Sequence, residues 1–297
     1  NIISENCQRI YTLKEAYLQP LDEVILFLQG KNETLARQIC TDNFLPQASR
    51  FEQLDDMSWA FGSMGIQDKA KHLATLYLED LSDFIIECID ENFGFSRYAE
   101  RLGQSAHSFD EMYTLLQHVF TFIDAITITL LEKKIQETQP QLVCISVPFP
   151  GNLYSAFRCA QYIKEHHPTI KISMGGGFPN TELRSLTDAR VFEFFDYITL
   201  DDGELPIEIL HNHVVSKVTK TSFKRTFLLE NGKVIYNNDS TKSDYKQSQV
   251  GTPDYTDLPL DSYISVIEIA NPMHSLWSDG RWNKLTMAHG CYWGKCT

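Results

Sequence analysis

The sequence predicts an α/β fold: a doubly wound parallel sheet preceded by a large helical subdomain. Three observations carry that expectation. Residues 1–136 hold only 5 of the 15 glycines and 2 of the 11 prolines, and their apolar side chains recur at helical spacing. From residue 141 onward, short apolar β-branched runs alternate with amphipathic stretches, the signature of βαβ units. The runs end in glycines or an acidic turn, where a strand gives way to a loop. At 297 residues the chain also exceeds the roughly 250 at which single cores stop growing, so more than one domain is expected. The reading places a helical subdomain over 1–138, the sheet domain over 139–222, a hairpin and linker over 223–262, and the start of a further domain over 263–297.

The elements follow in chain order. Leu73, Tyr77, Leu81, Phe84, Ile85, Cys88 and Ile89 fall on one helical face, with Gly94 as the stop. Ser108 and Glu111 form a capping-box pattern, and Pro140 lies past a Lys-rich turn, which predicts one long helix between them. "QLVCISVPF" has the unbroken apolar character of a buried parallel strand. "SAFRCAQYIKEHH" reads as a helix, "IKISMGGG" as a second strand, "TELRSLTDARVFEFF" as mixed, "DYITLDDGE" as a third strand and "LPIEILHNHV" as a helix. "FKRTFLLENGKVIYNN" is two alternating runs joined by Asn231-Gly232, a two-residue hairpin signal. The polar segment 246–263 is a connector, and "SVIEIANPMHSLW" and "RWNKLTMAHG" open a new unit.

Composition narrows function. The net charge of −13, concentrated in the first half, argues against a nucleic-acid backbone as partner. No apolar run approaches the ~20 residues of a membrane span, and no signal-peptide core opens the chain, so a cytoplasmic protein without a membrane partner is expected. The first residue is not Met, and the sequence reads as part of a longer protein. Seven cysteines, an odd number, point to free thiols; Cys88, Cys144 and Cys159 lie on apolar faces and are expected to pack as small hydrophobes. His72, His107 and His118 are isolated and carry no ligand spacing.

In doubly wound sheets ligands bind beyond the C-terminal strand ends, here 146–152, 175–180 and 201–204. Gly175, Gly176 and Gly177 remove three Cβ atoms at such an end, which admits a ligand close to the backbone or simply makes a tight turn. They are no dinucleotide fingerprint, because Phe178, Pro179 and Asn180 follow. The turn Asp201–Glu204 reads equally as a site or as a solvated loop ahead of a helix. Cys291 and Cys296 are spaced too far for a redox pair, and no second pair accompanies them for zinc, although His289 is close.

Spacing adds a resemblance. Ser146 begins S-x-P, and 26 residues separate Pro148 from Gly175. This resembles the S-x-L … G-G half of cobalamin-binding domains, with Pro148 at the Leu position. It implies a Rossmann-like, flavodoxin-type sheet in which Ser146, Val147, Pro148, Gly175, Gly176, Gly177 and Phe178 line the cobalamin tail. Asp201, Gly203 and Glu204 would stand at the third strand end. The family's D-x-H-x-x-G half does not precede Ser146, so a His-off cobalamin is implied.

"AHGCYWGKCT" resembles the cluster loop of radical S-adenosylmethionine (SAM) enzymes, which follows the first strand of a TIM-type barrel. There three thiolates hold a [4Fe-4S] cluster and SAM chelates the open iron. The resemblance makes Cys291 and Cys296 cluster ligands, with four residues between them in place of the usual three and the third Cys expected past Thr297. Together the two resemblances identify the chain with the N-terminal portion of a cobalamin-binding radical SAM enzyme. Such enzymes modify a small-molecule or peptide substrate, often by C-methylation. The alternatives are a non-catalytic binding module with a degenerate cobalamin pocket, and zinc held by Cys291, Cys296 and His289. Substrate, reaction outcome and oligomeric state are not written in the sequence.

Overall fold

A computed structural model describes residues 3–41, 43–52, 65–95, 98–104, 108–218, 222–252 and 254–264. The chain divides into two compact units. One is formed by residues up to Cys88 together with Tyr255 onward, the other by Ile89–Asp254.

The first unit is helical, as its Gly- and Pro-poor sequence predicts. Helices α1 (Glu5–Thr12), α2 (Lys14–Leu18), α3 (Leu21–Leu28) and α4 (Ala36–Ile39) pack on the long α5 (Ile66–Cys88). Their core joins Tyr17, Val24, Phe27, Leu28, Ala74 and Tyr77. Asp80 of α5 is fully buried and accepts the Ala48 and Arg50 amides at 2.9 and 3.0 Å, fixing the turn at Ser49–Phe51 onto the helix. Helix α5 stops at Cys88, not at the expected Gly94, and Cys88 is exposed.

The second unit begins with helices. α6 (Glu100–Gln104), α7 (Asp110–Leu116) and α8 (Phe122–Thr138) share one core with the sheet, through Leu102, Met112, Leu116 and Ile135. The domain border expected at 138 therefore falls inside a core. The single long helix expected over 108–140 is broken in two, for reasons visible at the break. Ser108 turns back on Asp110 and does not reach Glu111. The capping box is instead Thr121 with Asp124, which starts α8. Arg158 takes the carbonyls of Leu115, Leu116 and His118, closing the end of α7.

Among the described residues the sheet has five strands in the order β1 (Leu142–Ser146), β2 (Lys171–Gly175), β3 (Tyr197–Thr199), β4 (Thr226–Glu230) and β5 (Lys233–Asn237). β1, β2 and β3 are parallel; β4 and β5 are antiparallel. The hairpin is thus part of the sheet, where a separate hairpin and linker was expected. Its turn has positive φ at Asn231 (50°) and Gly232 (74°), the mirror-image turn that Asn-Gly favours. The strands follow each other without a reversal of order, so the described sheet is mixed and has no switch point.

Helix α9 (Leu153–His166) links β1 to β2. The short α10 (Gly177–Glu182) and a 3-10 turn at Ala189–Glu193 lead to β3, and α11 (Glu204–Val214) leads to the hairpin. Alternate strand residues separate two cores. Ile172, Met174, Ile198 and Phe227 pack with α9, whereas Tyr197 packs with Leu205, Ile209 and Leu210 of α11. At the N-terminal strand ends, Asp196 gathers Lys164 (2.7 Å), Lys171 (2.9 Å) and the Ile172 amide (2.9 Å). Residues 265–297, which include the expected start of a barrel, lie outside the described residues.

Candidate functional site

The C-terminal ends of β1, β2 and β3 adjoin, as parallel pairing requires, and bring the separated sequence motifs together. Ser146 and Gly175 are register partners in neighbouring strands. Their side-chain positions therefore share one face, the one bearing Cys144 and Thr199 and opposite to α9. There Cys144 and Ser146 are exposed. A Cβ on Gly175 would point at Thr199 Oγ1, 2.9 Å away. Ser146 and Gly175 thus form a shallow polar shelf beside α11.

The other two glycines serve the chain itself. Gly176 has φ +106°, and a Cβ there would stand 2.8 Å from the Val147 carbonyl oxygen; one on Gly177 would stand 2.7 Å from that of Pro148. The space they leave is filled by the end of β1. Val147 closes this junction: it is fully buried, its amide donates to Gly175 (2.7 Å) and its carbonyl accepts from Phe178 (2.9 Å). Phe178 is 3% exposed and lines a cavity of about 380 Å³ with Met112, Phe157 and Leu183. Of the residues expected along a cobalamin tail, Ser146, Pro148 and Gly175 are open to a ligand, Gly176 and Gly177 face the backbone that ends β1, and Val147 and Phe178 are core. The donor set fits a ligand lying on the shelf; it does not fit one inserted between β1 and α10, where backbone already sits.

The acidic turn is tied down. Asp201 adopts φ +61° and donates its amide to Asn180 Oδ1 (2.6 Å), while its carboxylate pairs with Arg184 and, at 3.9 Å, Arg225. Arg225 also reaches the carbonyls of Leu200 and Asp202 and makes a two-point pair with Asp244 at 2.7 and 2.9 Å. The Asp244 pair keeps the guanidinium charged above its ordinary range and holds the Asp244 carboxyl below its own. Gly203 precedes α11 and Glu204 occupies its first turn, where a carboxylate suits the helix dipole. Arg184 and Arg225 escaped the sequence reading because nothing local marks "FKRTF" as folding over a distant turn.

Expected apolar packing fails for one thiol here. Cys144 is exposed, because only part of its sheet face is covered. Cys159 does pack inward, and burial pushes its thiol up to about 11. Among the described residues no group of three or more His, Cys, Asp or Glu could hold a metal. Cys291 and Cys296 lie outside the described residues, as does His289. No described helix is long and apolar enough to cross a membrane. No family model, no curated protein and no solved structure matches this chain.

Proposed function

We propose that this chain is the cobalamin-binding, N-terminal part of a radical SAM enzyme. The observation that carries the reading is the register pairing of Ser146 with Gly175, which unites the two halves of S-x-P … G-G-G at an open strand end. Later in the sequence, "GCYWGKC" offers Cys291 and Cys296 as thiolates for a [4Fe-4S] cluster. When bound, the cluster supplies the electron that cleaves SAM, and cobalamin supplies a methyl carrier. The chain's own contribution would be positional: the Ser146 hydroxyl would hydrogen-bond the tail, Gly175 keeps the shelf low, and Arg225 holds the third strand end in place.

A second reading has a specific observation in its favour. Backbone fills the space beside Gly176 and Gly177, which suits a Rossmann-like binding module whose cobalamin pocket has degenerated. The two readings part on cobalamin affinity. The cluster is tested by iron and sulfide analysis of the full-length protein after anaerobic reconstitution. Iron and sulfide in equal amounts, lost in Cys291→Ala, are expected; zinc in their place would contradict the assignment.

A further inference from the structure

Beside Phe178 the main core leaves space that no described side chain fills. Met112, Leu153, Phe157, Phe178 and Val191 are each buried, at 2–6% exposure, yet they form the floor of a cavity of about 380 Å³. Folded interiors rarely hold voids larger than a water molecule, and small-molecule pockets begin near ~300 Å³. A space of this size is either a costly gap or a place for a ligand.

Local structure keeps the space open. Helix α10 ends at Glu182 and the next 3-10 turn begins at Ala189, so residues 183–188 cross the cavity as a loop. Leu183 and Leu186 lean on the core half-buried, whereas Ser185 and Thr187 are exposed and too small to fill it. The floor is thus apolar and the loop polar. Helices α7 and α9 form the facing walls, on the α9 side of the sheet and away from the shelf at Ser146 and Gly175.

The mouth is charged, and the charge has a sign. Arg190 donates to Asp188 through Nε (3.0 Å) and Nη2 (2.6 Å), and Nη2 also pairs with Asp110 at 2.8 Å. The guanidinium lies 5.6 and 5.1 Å from the ring centres of Phe109 and Tyr113, which pins the loop to α7. Hydrogen bonds from Ser108 and Arg190 hold the Asp110 carboxyl below its ordinary range, and Arg190 does the same for Asp188, so both are carboxylates at neutral pH. Two carboxylates against one guanidinium leave a negative charge in excess. Glu182 adds a second: it lines the mouth, is exposed, and has no hydrogen bond or ion pair among the described residues. Arg190 is the one cation among the described lining residues, and it is already engaged.

We infer that this cavity binds a small amphiphilic amine, with an aromatic or branched apolar body on the floor and an ammonium group at Glu182. A dry cavity of about 150 Å³ admits benzene, so this volume takes a body of about two rings. Burial of that body supplies most of the affinity. The carboxylate supplies the preference for a cation over an anion, a modest one because the pair stays exposed. The site rests on no property of the shelf, so either can fail without the other.

The test is calorimetric titration of the intact chain at neutral pH with two probes that share a ring system, tryptamine and indole-3-propionate. Tryptamine is expected to saturate below about 1 mM, and the anionic probe to bind about fivefold more weakly or worse. Glu182→Gln should weaken tryptamine about threefold and narrow the gap between the probes. Leu186→Trp puts an indole into the space from the loop. It should abolish tryptamine binding with a urea midpoint no lower than wild type, since filling an empty cavity removes no contact. Should Leu186→Trp fail to fold, Glu182→Gln, at an exposed position, still decides. No saturation, or equal binding of the two probes, overturns the inference. So does tryptamine binding unchanged in Glu182→Gln, as general attraction to a chain of net charge −13 would give.

Discussion

On the face of the sheet that meets α9, Ile172, Met174 and Ile198 are sealed from solvent; on the opposite face Cys144 and Ser146 stand exposed. The same strands build both. The closed face is finished by a buried polar network, in which Arg158 pairs with Asp124 at 3.1 Å while holding the carbonyls that end α7. Among the described residues the open face has only α11, which covers β3 and leaves the ends of β1 and β2 bare. The contrast separates residues that build the fold from residues free to bind. Asp124, Arg158, Val147 and Gly176 belong to the first group, and Ser146 and Gly175 to the second.

The largest expected break of that contrast is on the closed face. Arg158→Ala strands a buried carboxylate and three helix-end carbonyls, and should cost about 3–5 kcal/mol in urea unfolding of the second unit. A loss under about 1 kcal/mol would mean the network is not what closes that face.

Gly176→Ala comes next. A methyl at φ +106° against the Val147 backbone should cost roughly 2–3 kcal/mol, again by urea unfolding. Gly175→Ala should cost less, since it meets the movable Thr199 hydroxyl and not backbone. Equal losses at the two positions would contradict their separate roles.

Asp196 gives a pH signature at the other end of the strands. Burial raises its carboxyl, but Lys164, Lys171 and the Ile172 amide outweigh that and leave it below the ordinary value. Its contribution is thus present above its unfolded pKa, near 4, and is lost as pH falls through the lower folded value. Asp196→Asn should flatten the acid limb of the stability curve; an unchanged limb would assign it to other carboxylates. The smallest effect is at Ser146, where Ser→Ala should alter stability by under about 0.5 kcal/mol, because an exposed hydroxyl on the open face supports nothing.

The strand-helix alternation from 141 to 214 and the Asn231-Gly232 hairpin were legible because periodicity and turn chemistry are local. The break between α7 and α8 was not. It depends on Arg158, 40 residues downstream of the His118 carbonyl it binds, and on a capping box that uses Asp124 where the usual pattern has Glu. The strand ends were legible as a neighbourhood, since parallel pairing puts 146 beside 175. Which glycines were free was not, because only packing reveals that Val147 and Pro148 fill the space beside Gly176 and Gly177. Likewise the charge of Asp201 gave no sign of Arg184 and Arg225, which reach it across 17 and 24 residues of sequence. "QLVCISVPF" read as an interior strand, and among the described residues it is the outermost, paired with β2 alone.

The central claim is that the shelf at Ser146 and Gly175 holds the cobalamin tail. Titration of the chain with methylcobalamin, followed by visible absorbance, tests it directly. A saturable change toward the base-off spectrum is predicted, abolished by Ser146→Trp, which fills the shelf, and retained in Ser146→Thr, which keeps the hydroxyl. No spectral change at high cobalamin, or a change that Ser146→Trp leaves intact, would contradict the account.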